Sequence, residues 1–417
     1  MTNKEHRIHI IGAGVSGLVA ARVLENNGFS SVIIEATDTV GGRVKTDIVN
    51  GFQLDHGFQV LLTAYPAAQK YLDFKSLELQ RFLPGASIFK NKEQKIIGDP
   101  LRDPSLLFST LFSGIGNFSD KLKILKLNSY LKKKEIAAIF ADKEQSTRSY
   151  LKGYGFSDEM IVDFFKPFFS GIFLESELET SSRMFEFVYK MFGEGDAAIP
   201  KAGIQAIPNQ LQQNLKNTTF LFNTKVADIK DGIITLNNGE KLESHFSIVT
   251  ADASNLISNL KNQATNWKSC DTLYFETEKR VIQKKLIGLI PKENTLINNI
   301  FYHTSLKTVT KTEKELLSVT VINSKNLSEE KLVAEVKKEL QEYCNIDSCT
   351  FIKRYKIPMA LPKLNHLQYE MLPSETRLTT NVFLAGDAQL NGSLNAAMIS
   401  GERAALGVIE TISNTIS

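Results

Sequence analysis

Apolar and polar positions alternate along the chain with two different periods, and the changes of period mark its elements. Arg7–Ile11 and Ser31–Glu35 are short, nearly continuous apolar runs, while Gly17–Asn26 between them has helical spacing and ends before Gly28. Together they predict a strand, helix and strand with buried parallel strands. Val44–Val49 and Phe52–Asp55 alternate about Asn50-Gly51, a pair that favours a tight hairpin because both residues tolerate positive φ. From about Tyr65 to Phe192 helical spacing dominates. Ser119 or Asp120 is the expected cap of a helix over Lys121–Leu131, and Ser157, followed by Asp158 and Glu159, that of the next.

Strand character returns in Thr224–Ile229, Ile233–Leu236, Lys241–Ser244 and Phe246–Thr250, with Asn237-Asn238-Gly239 as a turn. Further alternating runs lie at Thr272–Phe275 and Leu317–Ile322. An amphipathic helix over Ser328–Tyr343 with Ser328 as cap, a last buried strand at Val382–Ala385 and a closing helix over Asn395–Ile412 complete the pattern. Buried-strand elements therefore sit at the beginning, middle and end, separated by two insertions.

Composition narrows the classes. With 42% hydrophobic and 23% charged residues the 417-residue chain is that of an ordinary globular protein of two or three domains. A net charge of +3 gives nucleic acid no electrostatic footprint. Three cysteines, Cys270, Cys344 and Cys349, are too few and too odd for a disulfide framework and point to a reducing compartment. Cys344 and Cys349 lack the further ligands of a zinc site, and no metal is expected. Neither a charged-then-apolar leader nor an apolar stretch of about 18 residues is apparent, so the cytoplasm is the expected location.

Two glycine-bearing segments carry the chemistry. In Gly12-Ala13-Gly14-Val15-Ser16-Gly17 the first glycine permits a tight turn, the second lets a pyrophosphate approach the backbone, and the third lets helix and strand pack closely. Glu35, followed by Ala36, ends the second strand, where a carboxylate can accept from ribose hydroxyls. Phe383-Leu384-Ala385-Gly386-Asp387 and Gly392-Ser393-Leu394-Asn395 form a second strand, turn and helix start. Both helix N-termini favour negative charge. One extended ligand that uses both is FAD.

Glu35 through Gly41-Gly42-Arg43 to Val44 resembles the second signature of the flavin amine oxidase, protoporphyrinogen oxidase and phytoene desaturase superfamily, and the segment from Phe383 to Ala405 resembles its C-terminal signature. The resemblance implies that Gly41, Gly42 and Arg43 lie along the FAD diphosphate and ribityl chain and that Asp387 contacts the ribityl chain. It also implies that the helix from Ser393, Leu394 and Asn395 points at the pyrimidine end of the ring, where N–H groups stabilise reduced flavin. Asp55-His56-Gly57-Phe58 falls where the superfamily places a strand end near the flavin, so Gly57 and Phe58 join the set and His56 becomes a candidate side chain. Val226 resembles the valine at the adenine side. Phe164–Phe173 and Ala198–Pro208 resemble substrate-domain segments, and the phenylalanines crowding residues 156–192 suggest a hydrophobic substrate.

The superfamily's lysine near flavin N5 has no clear counterpart, since Lys268 precedes Cys270–Tyr274 without register. No cysteine stands just before Phe383 for covalent attachment, so FAD is expected to be non-covalent, and the aromatic pair that sandwiches a substrate amine is lacking. The expected fold is α/β, with a discontinuous Rossmann-like FAD-binding domain (1–64, 200–256 and 376–417) and a mixed α+β substrate domain (65–199 and 257–375). The expected function is oxidation of a small, apolar organic substrate by hydride transfer to flavin N5, with oxygen, a quinone or another electron acceptor completing the cycle. A flavin-dependent isomerase or mutase, an NAD-dependent dehydrogenase and a non-catalytic FAD-binding protein remain as alternatives. Lys121, Lys123, Lys126 and Lys132–Lys134 beside Leu122, Leu125 and Leu131 suggest peripheral membrane contact, against the alternative of a solvated basic face.

Overall fold

The computed structural model describes residues 6–416 except 101, 112, 258, 259, 261, 262, 311, 325 and 326. The apolar runs at Ile8–Ile11, Val32–Ile34, Thr219–Leu221, Phe246–Val249 and Val382–Leu384 form a five-stranded sheet. Its order, with Ile8–Ile11 central, is Thr219–Leu221, Val32–Ile34, Ile8–Ile11, Phe246–Val249, Val382–Leu384, and every pairing is parallel. Helices Val15–Asn26 and Leu394–Ile416 pack together on this sheet. The class is α/β, as the run pattern predicts.

A second sheet of seven strands has the order Thr350–Pro362, Trp267–Thr277, Glu315–Val321, Ile297–Tyr302, Ile287–Leu289, Gly85–Lys90, Glu93–Gly98. Leu332, Val336 and Leu340 of helix Glu329–Cys344 cover one face, packing on Leu273, Phe275, Val319 and Val321. The opposite face looks toward the helical insertion. There Phe165, Phe169, Phe173, Phe185 and Phe187 are fully buried, so much of the phenylalanine cluster is core.

Several boundaries differ from the expectations. The first helix begins at Val15, because Gly14 is extended (φ −68°, ψ 173°) and serves as its N-cap. The hairpin strand begins at Thr46 rather than Val44, since Val44 and Lys45, which follow the turn at Gly41–Arg43, lie outside the strand pairing. Asn117, not Ser119 or Asp120, caps helix Phe118–Lys133; Asp120 returns the bond to the Asn117 N–H in a capping box. The segment expected to be mainly helical also contributes the hairpin Gly85–Lys90 and Glu93–Gly98. Its first strand completes the second sheet by pairing parallel with Ile287–Leu289.

The two long helices meet at Gly401. A Cβ there would lie 2.2 Å from the Ser16 carbonyl oxygen, a distance that backbone cannot yield cheaply. We expect Gly401→Val to lower Tm by at least about 5 °C, as calorimetry would show; an unchanged Tm would contradict this packing.

Candidate active-site cleft

Backbone geometry shapes the first wall of the cleft. Gly12 adopts φ +107°, and the Thr250 hydroxyl holds its turn by donating to the Ile11 and Gly12 carbonyls at 2.9 and 3.1 Å. Gly17 packs beneath, where a Cβ would strike the Gly12 oxygen at 2.1 Å. Gly14 differs from both. Its dihedral angles suit any residue, and a Cβ there would meet nothing within 4 Å. Helix Val15–Asn26 begins beside it with no side-chain cap and no acid in its first turn, leaving N–H groups directed outward.

The second glycine turn is fastened to the first. Gly41 N–H donates to the Ala13 carbonyl at 2.9 Å, and Gln205 holds the turn through the Val40 carbonyl at 2.7 Å. Glu35 is buried and accepts from the Ala13 N–H at 2.8 Å, the Thr37 N–H at 2.9 Å and the Thr37 hydroxyl at 2.8 Å. Arg43 forms an ion pair with Asp387, stacks over Trp267 and donates to the Ala360 carbonyl at 3.2 Å. From the far end of the chain, Gly386 (φ +123°) is fixed by the Ser400 hydroxyl, which accepts its N–H at 3.0 Å.

These segments border one cleft of about 1660 Å³, larger than the roughly 300–1,000 Å³ of a typical small-molecule site. Of the residues singled out from sequence, Gly12, Gly14, Ser16, Glu35, Gly41, Gly42, Arg43, Gly57, Phe58, Gly386, Asp387, Ser393 and Leu394 line it. Ala13 and Gly17 lie buried behind the turn, and Ala36 is exposed beside Glu35. Val226 packs in a separate apolar cluster with Ile234 and Val249. The Asn395 side chain turns away to accept the Ala67 N–H at 3.0 Å. Thr250, Gln205 and Ser400 fall within segments that the sequence singles out, but their positioning roles were not assigned there and follow from the contacts of the fold.

The remainder of the cleft lies between the helical insertion and the second sheet, with Phe164, Phe168, Phe169 and Phe192 on one side and Cys270, Asn299, Thr320 and Tyr355 on the other. Lys268 also lines it. Its ammonium donates to the Phe173 carbonyl at 2.8 Å and the Thr180 hydroxyl at 3.2 Å, so it caps the end of helix Lys166–Phe173. Burial holds its pKa below the usual lysine value. His56 lies 3.1 Å from Asp47, and its ring lies 4.4 Å from that of Tyr355 at a tilt of 33°. For Asp47, burial is outweighed by hydrogen bonds from Lys353, Tyr355 and His56, which keep it ionised. His56 thereby belongs to a clasp joining the Thr46–Val49 hairpin to strand Thr350–Pro362.

Next to His56, the Asp55 carboxylate is fully enclosed, accepting from the Thr46 hydroxyl at 2.6 Å and the Ile204 N–H at 3.1 Å. Burial raises its pKa from 3.8 to about 6. Because the folded value lies above the unfolded one, its contribution is fully present below pH 4 and is lost as pH rises through about 6. We expect the Tm of the wild type relative to Asp55→Asn to fall between pH 4.5 and 7.5, by an amount equivalent to about 2 kcal/mol. A pH-independent difference would contradict the assignment.

Comparison with known proteins places this architecture. A family model described as flavin containing amine oxidoreductase matches residues 15–409. Protoporphyrinogen oxidase 2 of Arabidopsis thaliana is 28% identical over 167 residues, covering 40% of this chain and 32% of that protein. An L-amino-acid oxidase of Protobothrops flavoviridis is 27% identical over 253 residues, covering 54% and 50%. Both matches thus span half or less of the relative's length. A solved oxidoreductase of Methanosarcina mazei shares the fold, with a TM-score of 0.73 at 17% identity over 97% of this chain and 100% of that one. The family model covers almost the whole chain, and the protein belongs to the flavin containing amine oxidoreductases.

Proposed function

We propose that the protein is an oxidoreductase that binds FAD non-covalently and oxidises a small, largely apolar organic substrate. The observation that carries this reading is Gly14: no atom of the protein requires glycine there, whereas a pyrophosphate lying against the backbone would. In this reading Gly12, Ala13, Gly14, Ser16 and Gly17 form the diphosphate turn, and Glu35 and Ala36 meet the adenosine ribose. Val226 lies at the adenine side; Gly41, Gly42 and Arg43 follow the diphosphate and ribityl chain. Asp387 meets the ribityl hydroxyls, while Gly57, Phe58, Ser393 and Leu394 surround the ring, with Asn395 contributing through its backbone at the helix start. The segments 1–64, 200–256 and 376–417 are then the cofactor domain, and 65–199 with 257–375 the substrate domain.

When bound, the flavin supplies the hydride acceptor. The chain's own residues orient and enclose. The N-terminus of helix Leu394–Ile416 favours developing negative charge, and Arg43 offers a delocalised cation to phosphate or ribityl oxygens. The aromatic wall of Phe164, Phe168 and Phe169 excludes water from an apolar substrate. An external acceptor such as oxygen or a quinone completes the cycle. The paired glycine turns and the Arg43–Asp387 bridge favour this reading over a nicotinamide enzyme, for which the second and third segments have no use. The test is Gly14→Val. We expect its FAD-free form to melt within about 1 °C of the wild type while its affinity for added FAD falls about 100-fold or more. Unchanged FAD affinity would contradict the proposed seat.

Contact with a membrane surface is part of the same proposal. Phe118, Leu122 and Leu125, on one stripe of helix Phe118–Lys133, are 68%, 52% and 41% exposed, and Leu107 and Leu111 beside them are also exposed. Exposed Lys126, Lys132 and Lys133 extend the face. Ile124 and Asn128 of this helix line the cleft, which would give an apolar substrate a short route from bilayer to site. No helix among the described residues is long and apolar enough to cross a membrane. We expect the protein to co-sediment with phosphatidylglycerol vesicles, and a Phe118→Ser, Leu122→Ser, Leu125→Ser variant to remain in the supernatant; equal sedimentation of both would contradict this contact.

A further inference from the structure

Five polar atoms are sealed together without partners beside the inner part of the cleft. Ser170 Oγ, Asn298 Oδ1, Asn299 Nδ2, Thr320 Oγ1 and Thr272 Oγ1 are buried and have no hydrogen-bond partner among the described residues. The topology explains why they meet. Thr272 pairs with Thr320, and Thr320 with Asn299, across three adjacent strands of the second sheet. A bulge between Ile297 and Asn299 turns two consecutive asparagines toward one helix. Asn298 Nδ2 donates to the Pro167 carbonyl at 3.2 Å, and a Cβ on Gly171 would come within 2.5 Å of Asn298 Oδ1 and 3.0 Å of Asn299 Oδ1. Ser170 is the neighbour of Gly171 in helix Lys166–Phe173.

An unpaired buried polar atom carries its full desolvation cost, and valine or leucine at these places would avoid it. Bulges commonly re-aim side chains next to binding sites. Gly171, Asn299 and Thr320 all line the cleft, and a threonine exchanges hydroxyl for methyl at its surface by one χ1 rotation. The cluster contains no charged side chain, so a carboxylate or ammonium entering it would lack a counter-ion.

We propose that this cluster recognises a neutral hydrogen-bonding group, a carbonyl, amide or hydroxyl, on the substrate. Asn299 and Thr320 supply the contacts at the cleft, and the body of the molecule lies against Phe164, Phe168 and Phe169. The inference rests on the cleft's being a substrate site, as proposed above, and extends it from an apolar substrate to an apolar substrate with one neutral polar function.

The test is isothermal titration of the full-length protein with octanamide, octanoate and octylamine, with flavin content read from absorbance on the same samples. We expect octanamide to bind about tenfold more tightly than either charged analogue. Thr320→Val, which replaces the hydroxyl by a methyl of the same shape, should bind octanamide about tenfold more weakly while melting no lower than the wild type. Absence of a preference for octanamide would overturn the proposal. So would a Thr320→Val variant that binds octanamide normally and melts lower, which would mark the hydroxyl as held by an internal water. Flavin-free protein that still prefers octanamide would count against the cofactor reading alone, and flavin-loaded protein without the preference against this inference alone.

Discussion

The close seating of helix Leu394–Ile416 on helix Val15–Asn26 is the constraint on which the cleft depends. Ser16 and Ser400, 384 residues apart in sequence, approach at 3.3 Å through their hydroxyls, and only the hydrogen of Gly401 fits against the Ser16 carbonyl. The same Ser400 hydroxyl accepts the Gly386 N–H. This contact therefore sets where the last glycine turn stands relative to the first, and brings Asp387 to Arg43. A cleft composed of segments so distant in sequence cannot form locally; it follows from packing two helices on one parallel sheet.

A division of labour runs along the cleft. At the glycine turns the surface is backbone, helix termini and one ion pair, suited to phosphates and hydroxyls. Toward the helical insertion it becomes aromatic. Lys268, which in sequence has no clear register with the superfamily's lysine, is spent on the end of helix Lys166–Phe173, and His56 is engaged by Asp47 and Tyr355. With both tied into the scaffold, neither stands as an independent nucleophile. That agrees with a reaction in which the cofactor takes the electrons and the protein chiefly positions the substrate.

Local features of this architecture were legible in the sequence and long-range ones were not. The glycine spacing, the Asn50-Gly51 hairpin and the capping serines at 157 and 328 act within a few residues, and each stands where its chemistry predicts. The motif assigns Gly12 to a turn, Gly14 to the close approach of a ligand and Gly17 to packing, and the structure shows that the fold itself requires glycine at the first and third of these but not at Gly14. The pairing of strand Gly85–Lys90 with Ile287–Leu289 was hidden because the two lie in different insertions. Thr250, Gln205 and Ser400 act through long-range hydroxyl or amide hydrogen bonds that leave no periodic trace. The asparagine pair at 298 and 299 gains meaning only from a bulge, which no local pattern announced.

The glycine-lined end of the cleft is proposed to hold FAD without a covalent bond. The most direct test is to denature the purified protein, separate what is released and identify it by mass and absorbance. Free FAD, released quantitatively by heat or acid, is the expected result from protein as purified or after incubation with added FAD. Flavin that stays with the polypeptide would contradict non-covalent attachment, and a protein that yields no flavin under either condition would contradict the claim itself.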